Sequence, residues 1–171
     1  MTDSVTPGAK QDLVIKRVFD APVEQVWNAW TDPAYVRQWW GPDGFTAPVA
    51  NMDVREGGTS LLCMSSPNFG EHYSTWQYRS VEPMKQIVYI HNLADRDGNA
   101  VDPVSMGMPP DFPQNQLHVI TFNALSNNRT ELTVTEHDWT AGQMMQMSEL
   151  GMNQCLDKMA RALNRGVSAG S

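Results

Sequence analysis

One stretch near the amino terminus constrains the fold more than any other part of the chain: residues 17–42, which read RVFDAPVEQVWNAWTDPAYVRQWWGP. Within Leu13–Phe19, the apolar residues Leu13, Ile15 and Phe19 fall at the period-two spacing of a strand. Pro22 then fits the first turn of a helix, where a missing N–H has no helical partner. Pro33 separates this helix from a shorter one, which ends at two adjacent tryptophans followed by a Gly-Pro pair. The stretch therefore predicts one strand followed by two short helices.

The middle of the chain reads as a series of strands at the spacing of hairpins. Turn signals such as Gly57-Gly58, Pro83 and Asn127-Asn128 separate the runs. The predicted strands are roughly Phe45–Arg55, Thr59–Ser65, His72–Val81, Gln86–Leu93, Gln116–Leu125 and Thr130–Asp138. With the first strand they make seven. This order of elements predicts an antiparallel α+β domain rather than alternating β-α-β units.

Two further segments complete the expected single domain, 1–171. Ala94–Asn115 is a long, proline-rich loop, and loops of this length within a compact domain are usually functional or disordered. Ala141–Arg165 predicts a long helix with one apolar face. That face would hold Met145, Ser148, Met152, Leu156, Met159 and Leu163. Small polar residues at 1–10 and 166–171 predict flexible tails around a core of about residues 11–165.

The composition excludes several classes of protein. The chain has 12 Lys and Arg against 19 Asp and Glu, a net charge of −7, which argues against nucleic acid because phosphate is bound largely by basic side chains. No apolar run approaches the length of a membrane span, and the first residues lack the apolar core of a signal peptide. We therefore expect a cytoplasmic protein. The four histidines and two cysteines lack the spacing of metal ligands, and no phosphate or dinucleotide loop occurs, so no metal and no cofactor are expected.

Four short motifs follow residues 17–40 in an order that is found in one known family. They are MDVREGG at 52–58, YRSVEP at 78–83, the loop pair DRDGNAV at 95–101 and GMPPDFP at 107–113, and GMNQCLDKMARAL at 151–163. The chain therefore resembles the START-like (SRPBCC) superfamily, in particular the branch related to the C-terminal domain of the Aha-type activators of chaperone ATPases. Two positions depart from the family pattern: Ser80 replaces a usual Glu, and Met152 replaces a usual Trp.

The resemblance implies a helix-grip fold, in which a curved seven-stranded antiparallel sheet wraps around a long C-terminal helix and leaves a cavity between them. Members of the wider superfamily bind lipids, sterols, plant hormones and polyketides, and some are cyclases or dehydratases. A chaperone partner follows from the family analogy alone. The sequence leaves a homodimer open.

One pair of residues in the last predicted hairpin, a histidine and a glutamate, suggests acid–base chemistry. If the last hairpin closes at Asn127-Asn128, its register places His118 opposite Glu136 on the apolar, cavity-facing side. His91 on the preceding strand would share that face. A histidine beside a carboxylate in an apolar pocket can be held charged or can act as a general base. The alternatives are an ion pair at the open end of the sheet and a register shifted by one residue.

The leading interpretation is a binding module, with no catalytic residues, whose apolar cavity takes a small hydrophobic or aromatic molecule. The candidate binding residues are Trp40, Met64, Trp76, Tyr78, Tyr89, His91, Met108, Phe112, His118, Ile120, Glu136, Met144, Met145 and Ser148. One alternative is an enzyme of the cyclase, dehydratase or hydrolase type that uses His118 and Glu136. The other is a chaperone-associated or otherwise protein-binding domain.

Overall fold

A computed structural model of the protein describes residues 9–165. Its elements, in chain order, are β1 (Lys10–Phe19), α1 (Val23–Thr31), α2 (Pro33–Trp39), β2 (Thr46–Asn51), β3 (Thr59–Ser66), β4 (Gly70–Glu82), β5 (Gln86–Ala94), a 3₁₀ turn (Pro103–Met106), β6 (Gln116–Leu125), β7 (Arg129–Thr140) and α3 (Gln143–Arg165). Of the predicted tails, residues 1–8 and 166–171 lie outside the described residues. Lys10 belongs to β1 rather than to a tail.

The seven strands form one antiparallel sheet in the order β1-β7-β6-β5-β4-β3-β2. The long helix α3 packs against β1, β7 and the two short helices. This arrangement confirms the predicted α+β helix-grip architecture. No helix in the described part of the chain is long and apolar enough to cross a membrane.

The strand ends differ from the prediction where the backbone turns early or late. β2 ends at Asn51 rather than at residue 55, because the chain there folds into a turn around Asp53. A Cβ on Gly58 would lie 2.4 Å from the carbonyl oxygen of Asp53, so only glycine fits this turn. At the other end of the chain, β7 continues to Thr140, and α3 therefore begins at Gln143 rather than at residue 141.

A cluster of tryptophans joins the short helices to the sheet. The Trp30 ring lies 4.7 Å from that of Trp39 and 5.7 Å from that of Trp76, measured between ring centroids. Trp39 Nε1 also donates to the carbonyl oxygen of Ala29 at 2.6 Å. Trp40 contacts Trp76 edge-on at 5.4 Å. These contacts fix the position of Trp40, which faces the space beneath α3.

Hydrogen bonds from Lys158 help to hold the loop after α2 against α3. Lys158 Nζ donates to the carbonyl oxygens of Gly41, at 2.7 Å, and of Phe45, at 3.2 Å. Gly41 has φ +101°, and a Cβ there would lie 2.9 Å from the Cβ of Phe45. The tight turn thus requires glycine and brings Pro42 and Phe45 to the edge of the same space.

Candidate functional site

A cavity of about 450 Å³ lies between α3 and the sheet. Nine of the predicted binding residues line it: Trp40, Met64, His91, Met108, Phe112, His118, Glu136, Met144 and Ser148. Its wall also contains residues outside the set of predicted binding residues: Pro42, Phe45, Phe69, His72, Tyr73, Ser74, Leu93, Gln116, Trp139, Met147, Gly151, Met152 and Cys155. Most of these side chains are apolar, so the cavity is a hydrophobic space with a small polar region.

Five predicted binding residues lie in the core instead: Trp76, Tyr78, Tyr89, Ile120 and Met145 are all buried, and none of them lines the cavity. The Trp76 ring stacks on that of Tyr89 at 4.6 Å and is covered by Trp40. Tyr78 shares a 2.7 Å hydrogen bond with Ser60 deeper in the sheet. Strand alternation predicts correctly that the strand residues of this group point to the inner face of the sheet. It does not predict which of these inward-pointing side chains are covered by other aromatic rings and so do not reach the cavity.

Trp139 reaches the cavity because β7 breaks its alternation. Asp138 has φ +60°, and the pairing of β1 with β7 shifts between Gln11 and Leu13. Such an irregularity makes the next side chain point to the opposite face of the sheet from the one that strict alternation predicts. Trp139 Nε1 therefore donates to Glu136 Oε1 at 2.8 Å, across a spacing of three residues.

The register of the last hairpin is the predicted one, with His118 opposite Glu136. Both side chains are buried, and both line the cavity. Their hydrogen bonds, however, go to other residues. Both bonds to Glu136 end on Oε1, from Trp139 and from Ser148 Oγ at 3.0 Å. Burial raises the pKa of Glu136, which makes this carboxyl easier to protonate than one in water.

His118 belongs to a relay whose hydrogen bonds fix its tautomer. Gln116 Nε2 donates to the carbonyl oxygen of His137 at 2.9 Å, which leaves Gln116 Oε1 as an acceptor. His118 Nε2 lies 2.9 Å from that oxygen and must donate to it. His118 Nδ1 then accepts from the hydroxyl of Tyr89 at 3.2 Å. Both ring nitrogens are thus occupied in the neutral form, in agreement with burial that lowers the pKa of His118 to about 3.

His91 stacks on His118, with ring centroids 5.0 Å apart and an interplanar angle of 5°. Burial, reinforced by His118, lowers the pKa of His91 to about 3, while the nearby Glu136 acts in the opposite direction. The two imidazoles are therefore neutral at pH 7.

The long loop covers one side of the cavity through Met108 and Phe112. The Phe112 ring contacts Trp139 edge-on at 5.5 Å. Two hydrogen bonds anchor the end of the loop to β5: Asn115 N donates to Asn92 Oδ1 at 2.8 Å, and Asn92 Nδ2 donates to Asn115 Oδ1 at 3.0 Å. Phe112 and Trp139 also line a smaller neighbouring space of about 340 Å³.

The opposite side of the mouth is an apolar rim formed by Phe69 and Met147, with side chains 69% and 55% exposed. Phe69 stacks on Phe45 at 6.1 Å. Cys155 lies inside, where burial raises the pKa of its thiol to about 12, so the unreactive thiol form predominates. Among residues 9–165 no group of three or more His, Cys, Asp and Glu side chains is placed to hold a metal ion.

Comparison with known proteins identifies a family for this chain. The model of the family described as "Activator of Hsp90 ATPase homolog 1-like protein" matches residues 20–164, which is most of the chain. No protein with a curated description matches.

Solved structures with the same fold come from several bacteria. A Chromobacterium violaceum protein is 24% identical, with a TM-score of 0.72 over 89% of this chain and 96% of its own. A Mycobacterium smegmatis protein is 23% identical, with a TM-score of 0.70 over 90% and 88% of the two chains. The AHSA1 protein of Silicibacter pomeroyi is 19% identical, with a TM-score of 0.72 over 90% and 98%. At these identities the likeness is one of fold alone.

Proposed function

This chain belongs to the Activator of Hsp90 ATPase homolog 1-like family, and we propose that it binds a small, largely hydrophobic molecule in the cavity beneath α3. The observation that carries the proposal is the cavity itself, about 450 Å³ with a mainly apolar wall. Ligand sites of small molecules occupy roughly 300–1,000 Å³ and combine apolar walls with a few polar groups. The cavity has both properties.

Packing elsewhere in the domain supports a role for this space. Leu156 and Met159, in the second half of α3, are fully buried. Protein interiors pack as densely as organic crystals, and voids larger than a water molecule are few. A large apolar space beside a tightly packed core therefore points to a ligand rather than to loose folding.

Binding is better supported than catalysis. A general base needs a free lone pair that can reach the substrate. The Nδ1 lone pair of His118 already accepts from Tyr89, and its Nε2 proton is donated to Gln116. Catalysis by His118 with Glu136 would first have to break this relay.

Filling the cavity tests the proposal. The neutral fluorescent probe N-phenyl-1-naphthylamine should bind the wild-type protein. Met152→Trp places a larger side chain in the wall and should weaken binding at least about tenfold, because the added ring occupies the volume that the probe needs. Leu150→Trp, on the same helix but 61% exposed, is the matched control and should leave binding within about twofold. Failure of the probe to bind the wild type, or equal binding by both variants, contradicts the proposal.

A protein partner is the second candidate, and the exposed rim at Phe69 and Met147 favours it. Exposed apolar side chains in one patch often mark contacts with other molecules. The family's description names an Hsp90 ATPase, so a chaperone of this type is the partner to test. Calorimetric titration of a purified Hsp90-type chaperone should give a heat of binding that Phe69→Ser abolishes. No heat with the wild-type protein would remove this candidate.

A further inference from the structure

Three buried polar atoms in the cavity wall have no hydrogen-bond partner among the described residues. They are Trp40 Nε1, Ser74 Oγ and His91 Nδ1. Buried polar groups are nearly always satisfied, and each exception costs stability, so each needs an explanation. Trp30 Nε1 and Trp76 Nε1 are also without a partner, but both belong to the tryptophan cluster and neither lines the cavity.

The three residues all lie next to one side chain, that of Trp76. His91 is the register partner of Trp76, and Ser74 pairs with Leu93, so Ser74 and His91 are diagonal neighbours on adjacent strands. Side chains in that relation can reach a shared third group. The Trp40 ring contacts that of Trp76 edge-on. The three residues therefore belong to one region of the cavity wall.

We propose that this region, the Trp40–Ser74–His91 subsite, binds the carbonyl oxygen of an uncharged ring compound. The inference rests on the proposed function and adds the class of ligand. An indole N–H only donates, so the ligand atom facing Trp40 must be an acceptor. A serine hydroxyl can donate as well, and a carbonyl oxygen accepts two hydrogen bonds. A carbonyl oxygen in this region therefore has the chemistry to accept from Trp40 and from Ser74.

The ligand should carry no negative charge. None of the residues that line the cavity is Lys or Arg, so an anion there would have no cationic partner. Burying an anion without such a partner is costly. His91 is neutral and offers a hydrogen bond rather than a positive charge. A carboxylic acid in its ionised form is therefore a poor ligand.

Three naphthalene derivatives separate these possibilities. 2-Acetylnaphthalene carries a neutral carbonyl, 2-ethylnaphthalene has the same shape without the oxygen, and 2-naphthoate carries a charge. Each competes with N-phenyl-1-naphthylamine on the full-length protein. The ketone should bind at least about tenfold tighter than the hydrocarbon, because a site with unpaired donors rejects a ligand that lacks the acceptor. The naphthoate should bind more weakly than the ketone.

Two matched pairs of variants assign the preference to the subsite. Ser74→Ala and Trp40→Phe should each reduce the preference for ketone over hydrocarbon to a third or less, by removing one donor. Ser60→Ala and Trp30→Phe are the controls, since both residues are buried outside the cavity, and they should keep the preference. Thermal unfolding shows whether each variant is folded. If Ser74→Ala does not fold, the ligand preference of Trp40→Phe alone tests the subsite.

The outcomes separate this inference from the proposed function. Equal binding of ketone and hydrocarbon overturns the subsite and leaves the hydrophobic site in place. Tightest binding by the naphthoate, or an unchanged preference in both Ser74→Ala and Trp40→Phe, also overturns it. Failure of all three compounds to bind overturns the proposed function and the subsite together.

Discussion

At the scale of single residues, Ser74 is a buried residue whose hydroxyl is not satisfied by the described residues around it. Its side chain is 4% exposed, and its hydroxyl has no partner within the described part of the chain. In a plain core this position would favour alanine, because an unsatisfied hydroxyl loses its bonds to water and gains nothing. The neighbouring His118 is different, since both of its ring nitrogens are satisfied.

Ser74→Ala should therefore stabilise the ligand-free protein, by about 1 kcal/mol, because it removes a buried group that lacks a partner. The free energy of unfolding, measured by urea denaturation, checks this. Ser60→Ala is the control and should destabilise, since it removes the partner of the Tyr78 hydroxyl. A loss of stability in Ser74→Ala would show that the hydroxyl is satisfied in the free protein.

The buried histidines should make stability depend on pH. The folded-state pKa of His118 is about 3, below its ordinary value of 6.5, so the unfolded chain binds a proton that the folded chain does not. Stability should therefore fall as the pH drops below about 6.5, and this histidine contributes a loss of about 2 kcal/mol between pH 7 and pH 5. Burial raises the pKa of Glu136, so that group opposes the loss as it becomes protonated.

Urea denaturation of the wild type and of His118→Gln at both pH values tests this. The variant should lose about 2 kcal/mol less than the wild type between pH 7 and pH 5, because it has one titrating histidine fewer. The same loss in both proteins would mean that His118 is protonated in the folded state.

At the scale of elements, the sequence predicted the register of the last hairpin. Asn127 and Asn128 both adopt positive φ, as a tight hairpin turn requires, and the resulting register pairs His118 with Glu136. Alternation fixed the faces of these strands. It failed at Trp139, because the positive φ of Asp138 is a tertiary feature with no strong signal in the sequence.

The helix α3 was predicted over residues 141–165 and spans Gln143–Arg165. Of the three binding residues predicted on it, Met144 and Ser148 line the cavity, whereas Met145 is buried in the core. Residues one position apart on a helix differ by about 100°. The spacing of apolar residues shows which face of the helix is apolar. It does not show which residues of that face pack against the core and which line the cavity.

Two truncations on α3 separate core from cavity. Leu156→Ala should cost about 2–5 kcal/mol of unfolding free energy, because a fully buried side chain leaves a void. Met144→Ala should cost less than about 1 kcal/mol, because Met144 is only partly buried, and it should weaken binding of N-phenyl-1-naphthylamine. Urea denaturation and fluorescence titration measure the two effects. Equal losses of stability would mean that the helix is packed evenly along its length.

The long loop should act as a cover for the cavity rather than as part of the core. Deletion of residues 104–110 removes Met108 but keeps the Asn92–Asn115 hydrogen bonds and the contact of Phe112 with Trp139. The probe should then bind more weakly, while the melting temperature changes little because few buried contacts are lost. A deletion that unfolds the domain would place the loop in the core. Unchanged binding would show that this part of the loop does not cover the ligand.

At the scale of the whole molecule, the protein combines a close-packed half with an open half. The tryptophan cluster and the second half of α3 form the packed core, and the first half of α3 lies over the apolar cavity. The fold could be predicted from hydrophobic spacing, turn residues and family motifs, because these act locally along the sequence. Trp40 and His91 were among the predicted binding residues, whereas Ser74 was not, because its place beside His91 depends on the register between β4 and β5.

Native mass spectrometry of the protein isolated from its own cells tests the central claim most directly. We expect a species heavier than the bare chain by the mass of a small uncharged molecule, which is released on denaturation. Met152→Trp, isolated in the same way, should show the mass of the chain alone. A wild-type protein that carries no small molecule, under conditions that retain bound N-phenyl-1-naphthylamine, would contradict the claim that the cavity is a binding site.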